Sequence, residues 1–170
     1  MKNIVIQGLG FVGAAMAVAA ASRVDSEGNP LFNIIGIDLS TEEGKNRIDT
    51  INSGQFPFKI SDRKLSEELN TAVTRGNLEA TDSKNVYLEA DIVIVSINCD
   101  LVKQNGQEKI ALDHFTRSIK QIAENISEDT LVIIESTVPP GTCEKIVYPL
   151  FKNAFNKRKL NINNFYLAHS

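Results

Sequence analysis

Three glycines near the N-terminus have the spacing of a phosphate-binding turn. Gly8, Gly10 and Gly13 form the pattern G-x-G-x-x-G between a β-branched apolar run and an alanine-rich one. In such a turn the first glycine permits a tight change of direction, the second lets a pyrophosphate approach the backbone, and the third lets helix and strand pack closely. The free N–H groups and positive dipole end of the new helix then favour phosphate charge. The pattern predicts a turn that binds a dinucleotide.

An acidic residue closes the next predicted strand. Asp38 stands where a carboxylate can accept hydrogen bonds from the 2′- and 3′-hydroxyls of an adenosine ribose. The same carboxylate would repel a 2′-phosphate, so the pattern favours NAD over NADP as the cofactor. Lys45 and Arg47 follow in the next predicted helix, where they could approach the adenosine, but we interpret them as part of a solvated helix face, which is the commoner arrangement. The alternative is a cluster of turn glycines followed by an unrelated surface aspartate.

A second polar turn follows an apolar run farther along the chain. Residues 135–142 read ESTVPPGT, in which two prolines fix φ and remove N–H donors to give a rigid strand-to-helix turn. Ligands of a doubly wound sheet bind outside the carboxyl ends of its strands. Ser136 and Thr137 are therefore expected to direct their hydroxyls into the same crevice as the glycine turn. Thr137 could instead cap the helix that follows, and the chemistry alone leaves the two roles equally open.

Alternating strands and helices are needed to place these turns together. Apolar runs predict strands over 2–7, 32–38, 91–96 and 130–136, a brief edge strand over 78–80, and a further strand over 164–168. Helices are predicted over 11–22, 62–73, 112–125 and 141–155. A further helix is predicted to begin at a capping box, with Ser40 as N-cap and Glu43 three residues later, and to end near residues 53–54. Strands that alternate with helices imply crossover connections. We therefore expect residues 1–170 to form one α/β domain, a Rossmann-type doubly wound, mostly parallel sheet with helices on both faces.

The composition limits the classes of function. A chain of 170 residues with a formal net charge of −3 fits one globular domain and gives little support to nucleic-acid binding. No apolar run reaches the roughly 18 residues that a membrane span needs. Cys99 and Cys143 lack the spacing of a zinc site or a disulfide framework, so no metal site is predicted. Asn3 and Gln7 interrupt the first apolar run, which favours a cytoplasmic protein over one that begins with a signal peptide.

In these motifs and their order the chain resembles the UDP-glucose/GDP-mannose dehydrogenases, enzymes that act on nucleotide sugars. The matching segments are residues 8–13 (GLGFVG), Asp38, and residues 52–57 (NSGQFP), 90–95 (ADIVIV) and 135–142 (ESTVPPGT). They span nearly the whole chain, and the proline-containing segment is far more specific than the glycine pattern.

The resemblance implies an NAD-dependent enzyme that oxidises the C6 alcohol of a nucleotide sugar to a carboxylate and consumes two NAD. The residues that would line the pyrophosphate are Gly8, Gly10, Phe11 and Val12. By the same resemblance Asp38 holds the ribose, and Thr137 lies near the nicotinamide and helps to order a catalytic water. The family's nucleophilic cysteine belongs to a later domain that binds the UDP- or GDP-sugar, and its homodimers form largely through a central helical region.

The chain departs from the family pattern in two ways. It has 170 residues, which is shorter than the family's enzymes, so we expect a piece that binds NAD without turning over a sugar. After the strand over 91–96, the family commonly has a Thr-Pro turn, whereas this sequence has SINCD from Ser96 onward. In that turn Ser96 or Asn98 could still supply a polar contact to the cofactor.

Three other functions share part of this pattern. The N-terminal domain of a different NAD-dependent dehydrogenase would show the glycine turn and the acid but not the 135–142 segment. A non-catalytic NAD-sensing regulatory module would share the glycine turn and the acid but would not require the 135–142 segment or the crossing over residues 54–57. A methyltransferase would use a related glycine loop, but the third glycine inside the helix fits it poorly.

Overall fold

The computed structural model of the protein describes residues 1–99, 101–104 and 107–170. Its strands are β1 (Lys2–Gln7), β2 (Phe32–Ile37), β3 (Leu78–Thr81), β4 (Ile92–Val95), β5 (Leu101–Gln104), β6 (Gln107–Ile110), β7 (Leu131–Ile134) and β8 (Tyr166–His169). Its α-helices are α1 (Phe11–Ala21), α2 (Glu42–Asn52), α3 (Arg63–Arg75), α4 (Asp113–Asn125) and α5 (Tyr148–Arg158). Short 3₁₀ helices cover Lys84–Glu89 and Ile162–Asn164, and a π-helical turn covers Cys143–Val147.

Six of the strands form one sheet in the order β3-β2-β1-β4-β7-β8, and every neighbouring pair is parallel. The order reverses at β1, from which the chain builds outward first to one side and then to the other, as in doubly wound dinucleotide-binding folds. The predicted α/β, Rossmann-type architecture is confirmed. β5 and β6 form a separate two-stranded antiparallel sheet, which the apolar pattern did not predict.

Helices cover both faces of this sheet, and the alternation of side chains along β1 separates the two cores. Val5 packs in a cluster with the buried residues of α4 and α5. Ile4 and Ile6 point to the opposite face, where their cluster includes buried residues of α1, α2 and α3. Each fully buried aliphatic side chain contributes about 1.5–3 kcal/mol relative to an exposed one, so both faces stabilise the sheet. None of the helices in the described part of the chain is both long and apolar enough to cross a membrane.

The start of α2 differs from the prediction. The N-cap is Thr41, whose hydroxyl accepts a hydrogen bond from the Gly44 N–H at 3.2 Å, and not Ser40. The predicted capping box is therefore wrong, because the helix begins one residue later than expected. The Glu43 side chain points along the helix instead, to Arg47 one turn on.

The predicted helix over 141–155 is divided into the π-helical turn Cys143–Val147 and helix α5. Pro149 lies in the first turn of α5 and lacks the N–H that would bond the carbonyl four residues earlier. A wider turn accommodates this missing bond before the regular helix resumes.

Candidate cofactor site

Four neighbouring strands end at one level of the sheet. Paired residues in register close these strands: Gln7, Ile37, Val95 and Ile134. The residues that follow them along the chain are Gly8, Asp38, Ser96 and Glu135. The glycine turn, the acid and both predicted polar turns therefore leave the sheet at the same edge, which is where ligands of doubly wound sheets bind.

Two of the three glycines are required by packing inside the strand–turn–helix unit. Gly8 has a φ of +98°, and a Cβ built on it would overlap the backbone carbonyl oxygen of Ser96. A Cβ on Gly13 would overlap the carbonyl oxygen of Gly8, well inside the 3.0 Å that real Cβ contacts respect. These glycines let α1 start directly against the end of β1 and the turn after β4.

Gly10 is different, because the space beside it is open. A Cβ built there would meet no heavy atom of the described chain within 4 Å. Gly10 is the N-cap of α1, and the first turn of the helix contains no acidic side chain. Phe11 and Val12, the first helical residues, are 54% and 57% exposed. In the described part of the chain the space beside the first turn of α1 is therefore open, and the first N–H groups of a helix can bind phosphate. The pyrophosphate contact at this turn stays a prediction.

Leu9 packs against Gly36 of β2 and supports the glycine turn, a contact that the sequence did not predict. Its side chain is fully buried, and a Cβ on Gly36 of β2 would lie 2.6 Å from its Cδ2 atom. A glycine inside an apolar strand often marks such a close approach, so Gly36 was the available signal.

Asp38 is held rigidly beside the glycine turn. Its side chain is only 7% exposed. The Leu9 N–H donates to its Oδ2 atom at 3.3 Å, and the Leu39 N–H donates to its Oδ1 atom at 2.8 Å. The carboxylate therefore lies next to the start of α1 in a fixed orientation, where a ribose acid is expected.

Arg47 reaches the same carboxylate, so its interpretation as part of a solvated helix face is wrong. Its Nε–H donates to Asp38 Oδ2 at 2.8 Å, and one terminal N–H donates to Glu43 Oε1 at 2.6 Å. The hydrogen bond to Asp38 is the main cause that raises the pKa of Arg47 above its ordinary value, followed by burial, which lowers it, and the charges of both carboxylates. The i, i+4 spacing of Glu43 and Arg47 was the sequence signal for part of this arrangement.

Ser136 joins the turns that follow β4 and β7. Its buried hydroxyl donates to the Val95 carbonyl at 3.2 Å and accepts from the Ile97 N–H at 2.8 Å. Ser96 lies half-buried between them and the glycine turn, and its N–H donates to the Gln7 carbonyl at 2.8 Å. The contacts of Ser136 are internal to the protein, so a cofactor contact by Ser96 or Ser136 stays a prediction.

Thr137 is exposed at the start of the proline-containing turn. The residue that precedes the helical segment is Thr142, five positions later, so the alternative that Thr137 caps this helix is wrong. An exposed hydroxyl at the ligand-binding edge of the sheet remains available to a cofactor or a water molecule. Its ligand contact and its catalytic role stay predictions.

An aromatic cluster of Phe11, Phe56 and Phe58 covers one side of the glycine turn. The ring centroid of Phe11 lies 5.7 Å from that of Phe56 and 5.9 Å from that of Phe58. Asn52 anchors the segment that carries the last two rings, since its side chain donates to the Ala80 carbonyl at 2.9 Å and accepts from the Ala80 N–H at 2.8 Å. The NSGQFP segment is thus tied to β3 and packs on the first residue of α1.

A metal site and a nucleophilic cysteine make different demands on the described residues. Among the described residues, no group of three or more His, Cys, Asp and Glu side chains could hold a metal ion. Cys143 packs partly buried against the core, and burial raises the pKa of its thiol. A raised pKa disfavours the thiolate, so Cys143 has the opposite of an activated environment.

Comparison with known proteins agrees with this geometry. A model of the UDP-glucose/GDP-mannose dehydrogenase family, NAD binding domain, matches residues 2–170. A UDP-N-acetyl-D-mannosamine dehydrogenase from Pyrococcus horikoshii is 29% identical over 168 residues, which cover 99% of this chain and 35% of that protein. A GDP-mannose 6-dehydrogenase from Pseudomonas aeruginosa is 30% identical over 157 residues, which cover 92% of this chain and 33% of that protein.

The crystal structure of an NDP-N-acetyl-D-galactosaminuronic acid dehydrogenase from Methanosarcina mazei Go1 has the same fold, with a TM-score of 0.85 at 24% identity over 99% of this chain and 34% of that one. The chain thus spans about a third of the length of the relatives it matches. The family match covers the strand ends, the glycine turn and the proline-containing turn together. The chain therefore belongs to the UDP-glucose/GDP-mannose dehydrogenase family, as its NAD-binding domain.

Proposed function

We propose that these 170 residues form the NAD-binding domain of an enzyme that oxidises the C6 alcohol of a UDP- or GDP-sugar to a carboxylate, with two NAD consumed per sugar. The open backbone at Gly10, at the N-terminus of α1 and beside Asp38, is the observation that carries this proposal. The relatives named above are dehydrogenases of UDP-N-acetyl-D-mannosamine and GDP-mannose.

Different residues of the chain bind the pyrophosphate and the adenosine ribose of the cofactor. Gly8, Gly10, Phe11 and Val12 line the pyrophosphate, and the packing of Gly13 keeps the N-terminus of α1 aimed at it. Asp38 accepts hydrogen bonds from the adenosine ribose, in the orientation that the Leu9 and Leu39 N–H groups already impose. Bound NAD would supply the acceptor for the hydride that leaves the sugar carbon.

Thr137 is the proposed catalytic residue of this domain. Its exposed hydroxyl follows β7 at the same edge of the sheet as Ser96, and Pro139 and Pro140 restrict the backbone after it. We assign it a place near the nicotinamide, where it helps to order the water that attacks the oxidised sugar. Ser96 and Ser136 hold the adjoining turns against the glycine turn and are proposed to contact the cofactor from there.

The sugar itself is assigned to parts of the enzyme outside these residues, since the chain spans about a third of its relatives. Cys143 is not proposed as the family's nucleophile, because burial raises the pKa of its thiol. We further propose a cytoplasmic enzyme that works as a homodimer with a nucleotide sugar as its only partner, and neither a nucleic acid nor a membrane. Light scattering of the complete enzyme tests the dimer, and a monomer there would contradict it.

Titration calorimetry of the 170-residue chain tests the cofactor site. We expect NAD to bind at least about tenfold more tightly than NADP, because the Asp38 carboxylate disfavours a 2′-phosphate. The same chain mixed with NAD and UDP-glucose, UDP-N-acetylmannosamine or GDP-mannose should produce no NADH fluorescence. Tighter binding of NADP would contradict the cofactor assignment, and sugar-dependent NADH would contradict the assignment of the sugar chemistry to other parts of the enzyme.

A further inference from the structure

An arginine lies where the discrimination between NAD and NADP is made. Arg47 donates from Nε to the Oδ2 atom of Asp38 at 2.8 Å, and Asp38 is the residue expected to hold the adenosine ribose. In dinucleotide-binding folds an arginine near this position commonly accommodates the 2′-phosphate of NADP. The position of Arg47 would therefore favour NADP if its charge were available to the ligand.

Glu43 occupies the other side of the same guanidinium. Its Oε1 atom accepts from a terminal N–H of Arg47 at 2.6 Å, through the i, i+4 spacing of α2. Arg47 is 17% exposed and so lies mostly between the two carboxylates, whereas the Glu43 side chain is 81% exposed. The three side chains together carry a net charge of −1, since one cation faces two anions.

We propose that Glu43 is a specificity-determining residue, which engages Arg47 and so prevents it from binding the 2′-phosphate of NADP. Asp38 alone repels that phosphate, but it also positions Arg47, the group best able to offset the repulsion. The Glu43 carboxylate engages the guanidinium of Arg47, so the arginine no longer offsets the repulsion of the 2′-phosphate. Glu43 also adds a negative charge of its own. The inference deepens the NAD site proposed above and rests on it.

The size of the effect follows from the exposure of Glu43. Exposed ion pairs contribute little to folding because water screens them, so Glu43 can be replaced without unfolding α2. A phosphate, however, competes with Glu43 for the charge of the guanidinium and for the terminal N–H that Glu43 accepts. Charge-assisted bonds from arginine to phosphate are among the stronger ones. We therefore expect Glu43→Gln to tighten NADP binding by about fivefold to tenfold, while NAD binding changes less than about twofold.

Calorimetric titration of the wild-type chain and three variants with NAD and with NADP tests the proposal. Glu42→Gln is the matched control, because Glu42 is the neighbouring exposed carboxylate in the first turn of α2. It removes the same charge without touching Arg47, and should leave the ratio of the two dissociation constants within about twofold of the wild type. The double variant Glu43→Gln/Arg47→Met should not show the tighter NADP binding of Glu43→Gln, since that increase in affinity acts through the guanidinium.

Each outcome separates the inference from the proposal on which it rests. If the wild-type chain binds NAD and Glu43→Gln is the only single variant with a higher affinity for NADP, the result supports both the NAD site and the role of Glu43. Equal gains in Glu42→Gln and Glu43→Gln, or a gain that survives the loss of Arg47, would overturn the specific role of Glu43 and leave the NAD site intact. A wild-type chain that binds neither dinucleotide would instead overturn the site itself.

Discussion

Gly13 of helix α1 lies directly against the carbonyl oxygen of Gly8, and this contact sets how close the helix comes to the end of β1. A Cβ on Gly13 would overlap that oxygen, well inside 3.0 Å. The overlapped atom belongs to the backbone, so no side chain can move aside to relieve the clash. The third glycine of the pattern is therefore a packing requirement of the turn.

Gly13→Ala should destabilise the chain and weaken cofactor binding together. Because α1 must shift away from the turn, we expect the free energy of unfolding to fall by about 1–3 kcal/mol, the usual cost of an overpacked substitution. Urea denaturation followed by circular dichroism measures this change. A variant as stable as the wild type would show that the turn relaxes freely, contrary to the contact described.

Gly10→Ala should separate binding from stability. The backbone of Gly10 has a φ of −61°, which alanine adopts readily, and its Cβ would meet no atom of the described chain within 4 Å. The free energy of unfolding should change by less than about 1 kcal/mol. NAD affinity should fall at least about tenfold, since the methyl group enters the space assigned to the pyrophosphate. Calorimetry that finds unchanged affinity would place the ligand elsewhere.

Ser136→Ala should destabilise the protein although the residue lies in a turn. The Ile97 N–H would lose the hydroxyl that accepts its hydrogen bond at 2.8 Å, in a partly buried setting. Leaving such a donor without a partner costs about 1–3 kcal/mol in urea denaturation. Thr137→Ala is the matched control, because the neighbouring hydroxyl is exposed and its loss should change stability by no more than about 0.5 kcal/mol. Equal effects of the two substitutions would contradict the distinction between them.

Tyr87 should make the protein sensitive to alkaline pH. Burial raises the pKa of Tyr87 well above its ordinary value, and its hydroxyl donates to the Gln7 side chain. In the unfolded chain the phenol ionises near its ordinary pKa of about 10. The stabilisation from the neutral folded phenol is thus fully present below that pH, and is lost as the pH rises toward the folded pKa.

Urea denaturation of the wild type and Tyr87→Phe between pH 8 and pH 11.5 measures this dependence. We expect the wild type to lose up to about 1.4 kcal/mol per pH unit above pH 10 through this group. Tyr87→Phe should be less stable at pH 8, because Gln7 loses its partner, but should show a flatter alkaline limb. Parallel curves for the two proteins would assign the alkaline loss to other groups.

Local patterns were enough to predict most elements of the fold. The runs that became β1, β2, β4 and β7 are β-branched and bounded by turn residues. Their alternation with helices predicted a mostly parallel sheet with helices on both faces, and the observed sheet has six parallel strands. Two predictions about the helices failed, one because of a one-residue shift and one because of a missing N–H donor. Ser40 was displaced as N-cap by Thr41, and Pro149 divided the last predicted helix.

By itself, the sequence determined the cofactor class, because glycine spacing and the acid after the second strand act through backbone geometry that few other residues permit. Tertiary structure alone decided which side chains meet at the turn. The burial of Leu9 over Gly36, the link from Ser136 to Ile97, and the ion pair of Arg47 with Asp38 join residues of different elements or turns. Such contacts depend on strand order and register, because these decide which residues from distant parts of the chain become neighbours. A local sequence pattern does not contain that information.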